Sequence, residues 1–141
     1  MSTIVVGVDG SSGARAALRY ALDEARLRGT GVRVVAAWHL PAAAYAGGYG
    51  PGDAELEQEA RDHLNAALDE ADVTDVDTDT VVREGNPASV LLEEAHDADL
   101  LVVGSRGLGG FRGLLLGSVS QQCDHHAPCP LMIVPPHRRD L

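Results

Sequence analysis

Short apolar runs rich in β-branched residues alternate along this chain with longer segments of helical periodicity. This alternation is typical of an α/β fold, in which right-handed crossovers join parallel strands and helices cover both faces of the sheet. Five strands are predicted, at residues 3–8, 32–38, 76–83, 100–103 and 131–134. Because 141 residues suit one core, we expect a single domain over residues 1–141 with an open, mainly parallel, five-stranded sheet.

Four helices are predicted between these strands from apolar positions that recur every three or four residues. They cover residues 14–28 and 53–72, and begin again near Pro87 and Ser118. The segment at about 39–52 is rich in glycine and proline, so it predicts a mobile loop.

The charge balance limits the partners of the chain. Its formal net charge is -10, which argues against nucleic-acid and membrane partners. All 11 basic residues are arginine, so chemistry that needs a lysine is excluded, including Schiff bases and lysine-dependent phosphate loops. The chain has no long apolar run and only two cysteines, so we expect a cytoplasmic protein without disulfides.

The stretch from Gly104 to Gly117 holds six glycines among fourteen residues, between an apolar strand and the helix that begins near Ser118. Glycines let a backbone approach an anion closely, and the N-terminus of a helix attracts negative charge. Arg106 or Arg112 can add positive charge. The stretch therefore predicts a phosphate-binding loop, with a plain surface loop before a capped helix as the open alternative.

Several familiar motifs are absent. A G-x-G-x-x-G fingerprint counted from Gly7 meets Asp9 and Ser12 at the required glycines, and counted from Gly107 it meets Arg112 at the third. The nucleophile elbow G-x-S-x-G of hydrolases is missing, and a receiver domain would need a lysine. Dehydrogenase, hydrolase and receiver functions are therefore disfavoured.

The histidines and cysteines do not predict catalysis or metal binding. Cys123, His125, His126 and Cys129 are close in sequence, but Pro128 interrupts the path between them, so no metal site is expected. A buried thiol and imidazoles at a helix end explain them better.

No general base is evident near the predicted phosphate loop. His125 and His126 should lie about two turns beyond Ser118. His63 lies beside the apolar stripe of its helix and is interpreted as a boundary residue. Any hydrolysis would therefore be slow and no catalytic residue is assigned.

A spaced motif carries a resemblance to a known family. Gly104, Gly107, Gly117 and Ser118 follow the pattern G-2x-G-9x-G-S. The flanks are IVVGVDGS at the start, ADLLVVGSRG before the motif and APCP before the last strand. With these flanks the chain resembles, from end to end, the ATP-binding branch of the universal stress protein family.

The resemblance implies an adenine nucleotide alpha hydrolase-like, Rossmann-like fold that binds ATP, with Mg²⁺ held through the phosphates. It implies that Asp9 lies beside the ribose or the base, and that the backbone of Ala37 meets adenine. From the residues alone, a cap on the first helix through the following turn is the open alternative for Asp9. The nucleotide-binding residues that the resemblance implies are Val8, Asp9, Ala37, Val103, Gly104, Arg106, Gly107, Gly117, Ser118, Val119 and Ser120.

The same resemblance implies a function and a partner. The expected function is that of a nucleotide-dependent sensor or adaptor in the stress response, with slow ATP hydrolysis or phosphotransfer, or binding of AMP or cyclic AMP, as alternatives. The expected partner is a second copy of the chain, bound through the edge strand Leu131–Val134.

Overall fold

The computed structural model of the chain describes residues 2–39, 52–105 and 118–135. The strands in this part of the chain are β1 (Thr3–Gly7), β2 (Gly31–Trp38), β3 (Thr78–Glu84), β4 (Leu100–Gly104) and β5 (Leu131–Val134). The helices are α1 (Ser12–Arg28), α2 (Asp53–Glu70), α3 (Pro87–Glu94) and α4 (Ser118–His126). Strands and helices alternate as the sequence predicts.

The strands form one open sheet in the order β3-β2-β1-β4-β5, and every pair in it is parallel. The chain starts at the centre, builds outward to β3, and then crosses to the other side of β1 to add β4 and β5. The predicted α/β fold with an open, five-stranded sheet is confirmed. The connections after β1 and β4 leave in opposite directions, which opens a crevice at the carboxyl ends of these two strands.

The helices cover both faces of the sheet, as predicted. Ile4 and Val6 belong to the cluster that β1 shares with α1 and α2, whereas Val5 belongs to the cluster on the side of α3 and α4. Neighbouring residues of a strand point to opposite faces, so inner strands that are apolar throughout supply both cores. Ala17 and Ala21 are fully buried, and such small side chains let α1 lie close to the sheet.

The boundary between β1 and α1 differs from the prediction. The strand ends at Gly7 rather than Val8, and the helix begins at Ser12 rather than Ala14. The earlier start has a local cause, because Ser11 is the N-cap and its Oγ accepts a hydrogen bond from the backbone N–H of Ala14 at 3.1 Å.

The boundaries on either side of residues 71–77 also differ. Helix α2 ends at Glu70, about two residues earlier than predicted, and β3 runs over Thr78–Glu84 instead of 76–83. Val76 is held in a turn, where its N–H donates to the carbonyl oxygen of Val73 at 3.1 Å. Strand β3 lies at one edge of the sheet.

An ion-pair network ties edge strand β3 to the end of α3. Arg83 donates to Glu94 at 2.9 Å and to Glu93 at 2.5 Å, and these hydrogen bonds raise the pKa of the Arg83 guanidinium. Arg33 of β2 also donates to the backbone carbonyl oxygen of Glu94, at 3.3 Å. The network holds α3 against β2 and β3, and α3 forms one wall of the crevice described below.

The described helices are too polar or too short for a bilayer. The longest, α2, has 18 residues and carries Asp53 and Glu55 in its first turn. None of the helices in the described part of the chain could cross a membrane. The cytoplasmic location stays a prediction from the sequence.

Candidate functional site

A crevice opens at the carboxyl ends of β1 and β4, where the strand order reverses. We call it the switch-point crevice. Its walls come from the ends of β1, β2 and β4, the first turn of α1, and the N-terminal parts of α3 and α4. The residues that line it are Gly7, Val8, Asp9, Ser11, Ala14, Val35, Ala37, Pro87, Leu91, Val103, Gly104, Val119 and Ser120.

Seven of the eleven nucleotide-binding residues predicted from the sequence line this crevice: Val8, Asp9, Ala37, Val103, Gly104, Val119 and Ser120. Of the others, Arg106, Gly107 and Gly117 lie outside the described residues, as does most of the predicted loop at about 39–52. Ser118 begins α4, as the sequence predicts, and only its backbone is described. Residues more than 100 positions apart in sequence, such as Val8 and Ser120, are therefore gathered in one place.

The sequence did not indicate the wall that α3 contributes. Pro87 and Leu91 line the crevice from this helix, and Leu91 is almost fully buried. The start of α3 was predictable, because Asn86 is a capping residue placed before a proline at the first helical position. In the structure the side chain of Asn86 accepts hydrogen bonds from the N–H groups of Ala88 and Ser89. Which face of α3 meets the crevice depends on how the helix packs on the sheet, and no local pattern reports that.

Asp9 orients the turn that leads into α1. Its Oδ1 accepts hydrogen bonds from the N–H of Ser11 at 2.9 Å and from the Oγ of Ser11 at 2.5 Å. The same Oγ accepts from Ala14 and so caps the helix. The cap of α1 is therefore Ser11, and Asp9 supports it from two residues before instead of capping the helix itself. Asp9 also lines the crevice.

Two glycines at strand ends bring helices close to the sheet. A Cβ atom on Gly7 would lie 2.8 Å from Cδ1 of Leu91, and one on Gly104 would lie 2.8 Å from the carbonyl carbon of Gly13. Only a residue without a side chain fits where backbone meets backbone in this way. Gly104, the first glycine of the motif, therefore has a packing role against α1.

Residues on the two sides of segment 106–117 are joined by hydrogen bonds. The hydroxyl of Ser120, 1% exposed, donates to the backbone carbonyl oxygen of Ser105 at 2.9 Å. The N–H of Ser105 in turn donates to the carbonyl oxygen of Val134 in β5 at 2.8 Å. This chain of hydrogen bonds holds the end of β4 beside the first turn of α4.

The N-terminus of α4 favours an anion. Its first turn contains no acidic residue, and Val119 and Ser120 line the crevice. The helix dipole gives this end partial positive charge. His125 and His126 lie in the last turn, at the negative end, as predicted.

Both cysteines pack in the core on the side of α3 and α4. Cys123 is fully buried in the core on the α3 and α4 side, and burial raises the pKa of its thiol to about 11. Burial also raises the pKa of Cys129. Within the described ranges, no group of three or more histidine, cysteine or acidic side chains is arranged to hold a metal ion.

A second groove, which Asp9 also lines, lies between the end of β2 and α2. We call it the α2 groove. It shares four residues with the switch-point crevice: Val8, Asp9, Ala37 and Pro87. Its other lining residues are Ala36, Trp38, His39, Leu56, Glu59, Ala60 and His63. The sequence did not predict that His63 lies near Asp9.

The curated relatives that match the chain are universal stress proteins. The chain is 37% identical over 139 residues to a universal stress protein of Mycolicibacterium smegmatis, covering 94% of this chain and 45% of the relative. The chain spans about half the length of the curated relatives that it matches.

Two solved universal stress proteins share the fold of this chain over nearly their whole length. A universal stress protein in complex with cAMP superposes with a TM-score of 0.74 at 27% identity, covering 96% of this chain and 98% of the other. The universal stress protein of Archaeoglobus fulgidus in complex with dAMP gives a TM-score of 0.71 at 28% identity, covering 95% and 98%. The profile of the universal stress protein family matches residues 1–135. The chain therefore belongs to the universal stress protein family.

Proposed function

We propose that the chain binds an adenine nucleotide in the switch-point crevice and acts as a nucleotide-dependent sensor or adaptor in the stress response. The observation that carries the proposal is the convergence of Asp9, Ala37 and the N-terminus of α4 on one crevice. Relatives of the same fold were solved in complex with cAMP and with dAMP, which supports an adenine nucleotide as the ligand.

The crevice offers a distinct environment to each part of such a ligand. Pairing between β1 and β2 ends at Val35, so Ala37 extends past β1 and can present its backbone to adenine. Val35, Leu91 and Val103 give an apolar surface for the base. The Asp9 carboxylate suits ribose hydroxyls, because a charged acceptor forms strong hydrogen bonds.

We propose ATP as the nucleotide bound in the cell. The glycine-rich motif at 104–117, followed by Ser118 at the start of α4, suits a chain of phosphates. Mg²⁺ would then bind mainly to the phosphate oxygens, as it commonly does at nucleotide sites. AMP and cyclic AMP remain the alternatives, and slow hydrolysis of ATP is a second candidate activity.

Replacing Asp9 tests this assignment. Asp9→Asn keeps an oxygen that can accept from Ser11, so α1 should stay capped, but the charge is lost. A hydrogen bond to a charged group contributes about 1.5–3 kcal/mol, so we expect nucleotide affinity to fall about 10- to 150-fold. Calorimetric titration with ATP, AMP, cyclic AMP and adenosine would measure the loss and rank the ligands.

Asp69→Asn is the matched control, since Asp69 is exposed on α2. Its affinity should equal that of the wild type. If no adenine compound binds the wild-type protein, or if Asp9→Asn binds as tightly as wild type, the assignment is wrong. Phosphate release measured with ATP and Mg²⁺ would decide whether the protein also hydrolyses its ligand.

We propose that two copies pair through β5. This strand lies at the edge of the sheet, and Leu131, Met132 and Ile133 are apolar and only half-buried. An apolar edge strand is a template for pairing with another chain. We expect a molar mass of twice 14.8 kDa in light scattering, and a folded monomer for Met132→Lys. A wild-type protein that is monomeric at high concentration would contradict the proposal.

A further inference from the structure

The ring of His63 lies directly against Gly10. A Cβ atom built on Gly10 would lie 2.9 Å from Cδ2 of the imidazole and 3.0 Å from both Cγ and Nε2. One side of the ring therefore occupies the space that a side chain at position 10 would need. Gly10 also has a φ of +87°, a conformation that residues with side chains rarely adopt.

Gly10 is the middle residue of the turn that presents Asp9. Within the turn, both the N–H and the Oγ of Ser11 donate to Asp9 Oδ1. The imidazole of His63 lies against the same turn, at Gly10. The turn formed by Asp9, Gly10 and Ser11 is thus held both by its own hydrogen bonds and by a side chain that comes from 53 residues later in the sequence.

The position of His63 is set by the packing of α2. Ala60, Leu64 and Ala67 of this helix are buried in the core against the sheet. His63 is half-buried beside Leu64, one turn after Ala60, and its ring reaches Gly10. The packing of α2 on the sheet therefore places the His63 ring against the turn.

The α2 groove connects this contact to the switch-point crevice, because the two share Asp9 and Ala37. The titratable groups that line the groove with His63 are Asp9, His39 and Glu59. Glu59 lies four residues before His63 on the same side of α2. Asp9, whose carboxylate we propose binds the ligand, therefore lines both the switch-point crevice beside α1 and the groove beside α2.

We propose that His63 is a positioning residue: it holds the turn of residues 9–11 in the conformation that presents Asp9 to the crevice, and so sets the affinity for the nucleotide. The affinity part of this inference rests on the proposed function. By linkage, a ligand that binds more tightly when the turn is held by His63 also strengthens the contact between His63 and Gly10. Nucleotide binding is then coupled to the packing of α2 against the turn.

The test compares His63→Ala, His63→Phe and His96→Ala with the wild-type protein. His96 is an exposed histidine after the end of α3 and is the matched control. Two quantities are measured: hydrogen exchange of the Ser11 amide, which donates to Asp9, and calorimetric affinity for ATP and AMP. Thermal unfolding confirms that each variant is folded.

We expect His63→Ala to speed exchange of the Ser11 amide about tenfold, because the turn opens more often. Nucleotide affinity should fall about five- to tenfold, since the held turn is less populated. His63→Phe keeps a planar ring against Gly10 and should restore both quantities toward wild type, and His96→Ala should change neither.

The outcomes separate this inference from the proposed function. Unchanged exchange in His63→Ala overturns the inference. A loss of affinity with unchanged exchange, not restored by phenylalanine, means that His63 touches the ligand directly and also overturns it. A wild-type protein that binds no adenine nucleotide defeats the proposed function, while faster Ser11 exchange in His63→Ala would still support the role of His63 in holding the turn.

Discussion

Replacing Leu101 with alanine is expected to lower the free energy of unfolding by about 2–5 kcal/mol. Leu101 is fully buried in β4, an inner strand that pairs with β1 and β5. It packs in the cluster that includes Val5 and Cys123. Removing its methyl groups leaves a cavity, and backbone paired on both sides collapses poorly into such a space. Urea unfolding followed by circular dichroism would measure the change.

The matched control is Leu27→Ala. Leu27 lies in the last turn of α1 with 82% of its surface exposed, so the same substitution creates no cavity there. We expect its free energy of unfolding to stay within about 0.5 kcal/mol of wild type. Equal losses at the two positions would mean that the packing of β4 is not what we describe.

The second large effect is expected for Gly104→Ala. The added Cβ would lie 2.8 Å from the carbonyl carbon of Gly13, 2.9 Å from its oxygen and 3.3 Å from the nitrogen of Ala14. All three are backbone atoms of the first turn of α1, so the clash cannot be relieved by rotating a side chain. Overpacking of this kind costs about 1–3 kcal/mol, to be measured by urea unfolding.

Gly104→Ala also bears on how the glycine motif is interpreted. If Gly104 served only to let phosphate approach, alanine would weaken binding and leave stability unchanged. Because α1 must move, we expect stability to fall and nucleotide affinity to fall with it, since α1 carries the turn that presents Asp9. Gly52→Ala is the control, because a Cβ at Gly52 meets nothing within 4 Å. Unchanged stability in Gly104→Ala would refute the packing role.

Much of the site could be located from the sequence because its signals are local. The apolar stretch before Asp9, the capping residue Asn86 before Pro87, and the glycine-rich stretch that ends at Ser118 each depend on neighbours within a few residues. Parallel strands place their carboxyl ends at one edge of the sheet, so signals that follow such strands lie near one another. The two grooves then show which elements meet there and from which side.

The sequence by itself determined the alternation of strands and helices, the class of the fold and the start of α4, because periodicity and capping act over a few residues. Only the tertiary structure decided which faces meet: Gly7 with Leu91, Gly10 with His63, Gly104 with Gly13. Each of these contacts joins residues far apart in the chain. They depend on where whole helices rest on the sheet, and that position is the sum of many buried contacts, which no local pattern of residues records.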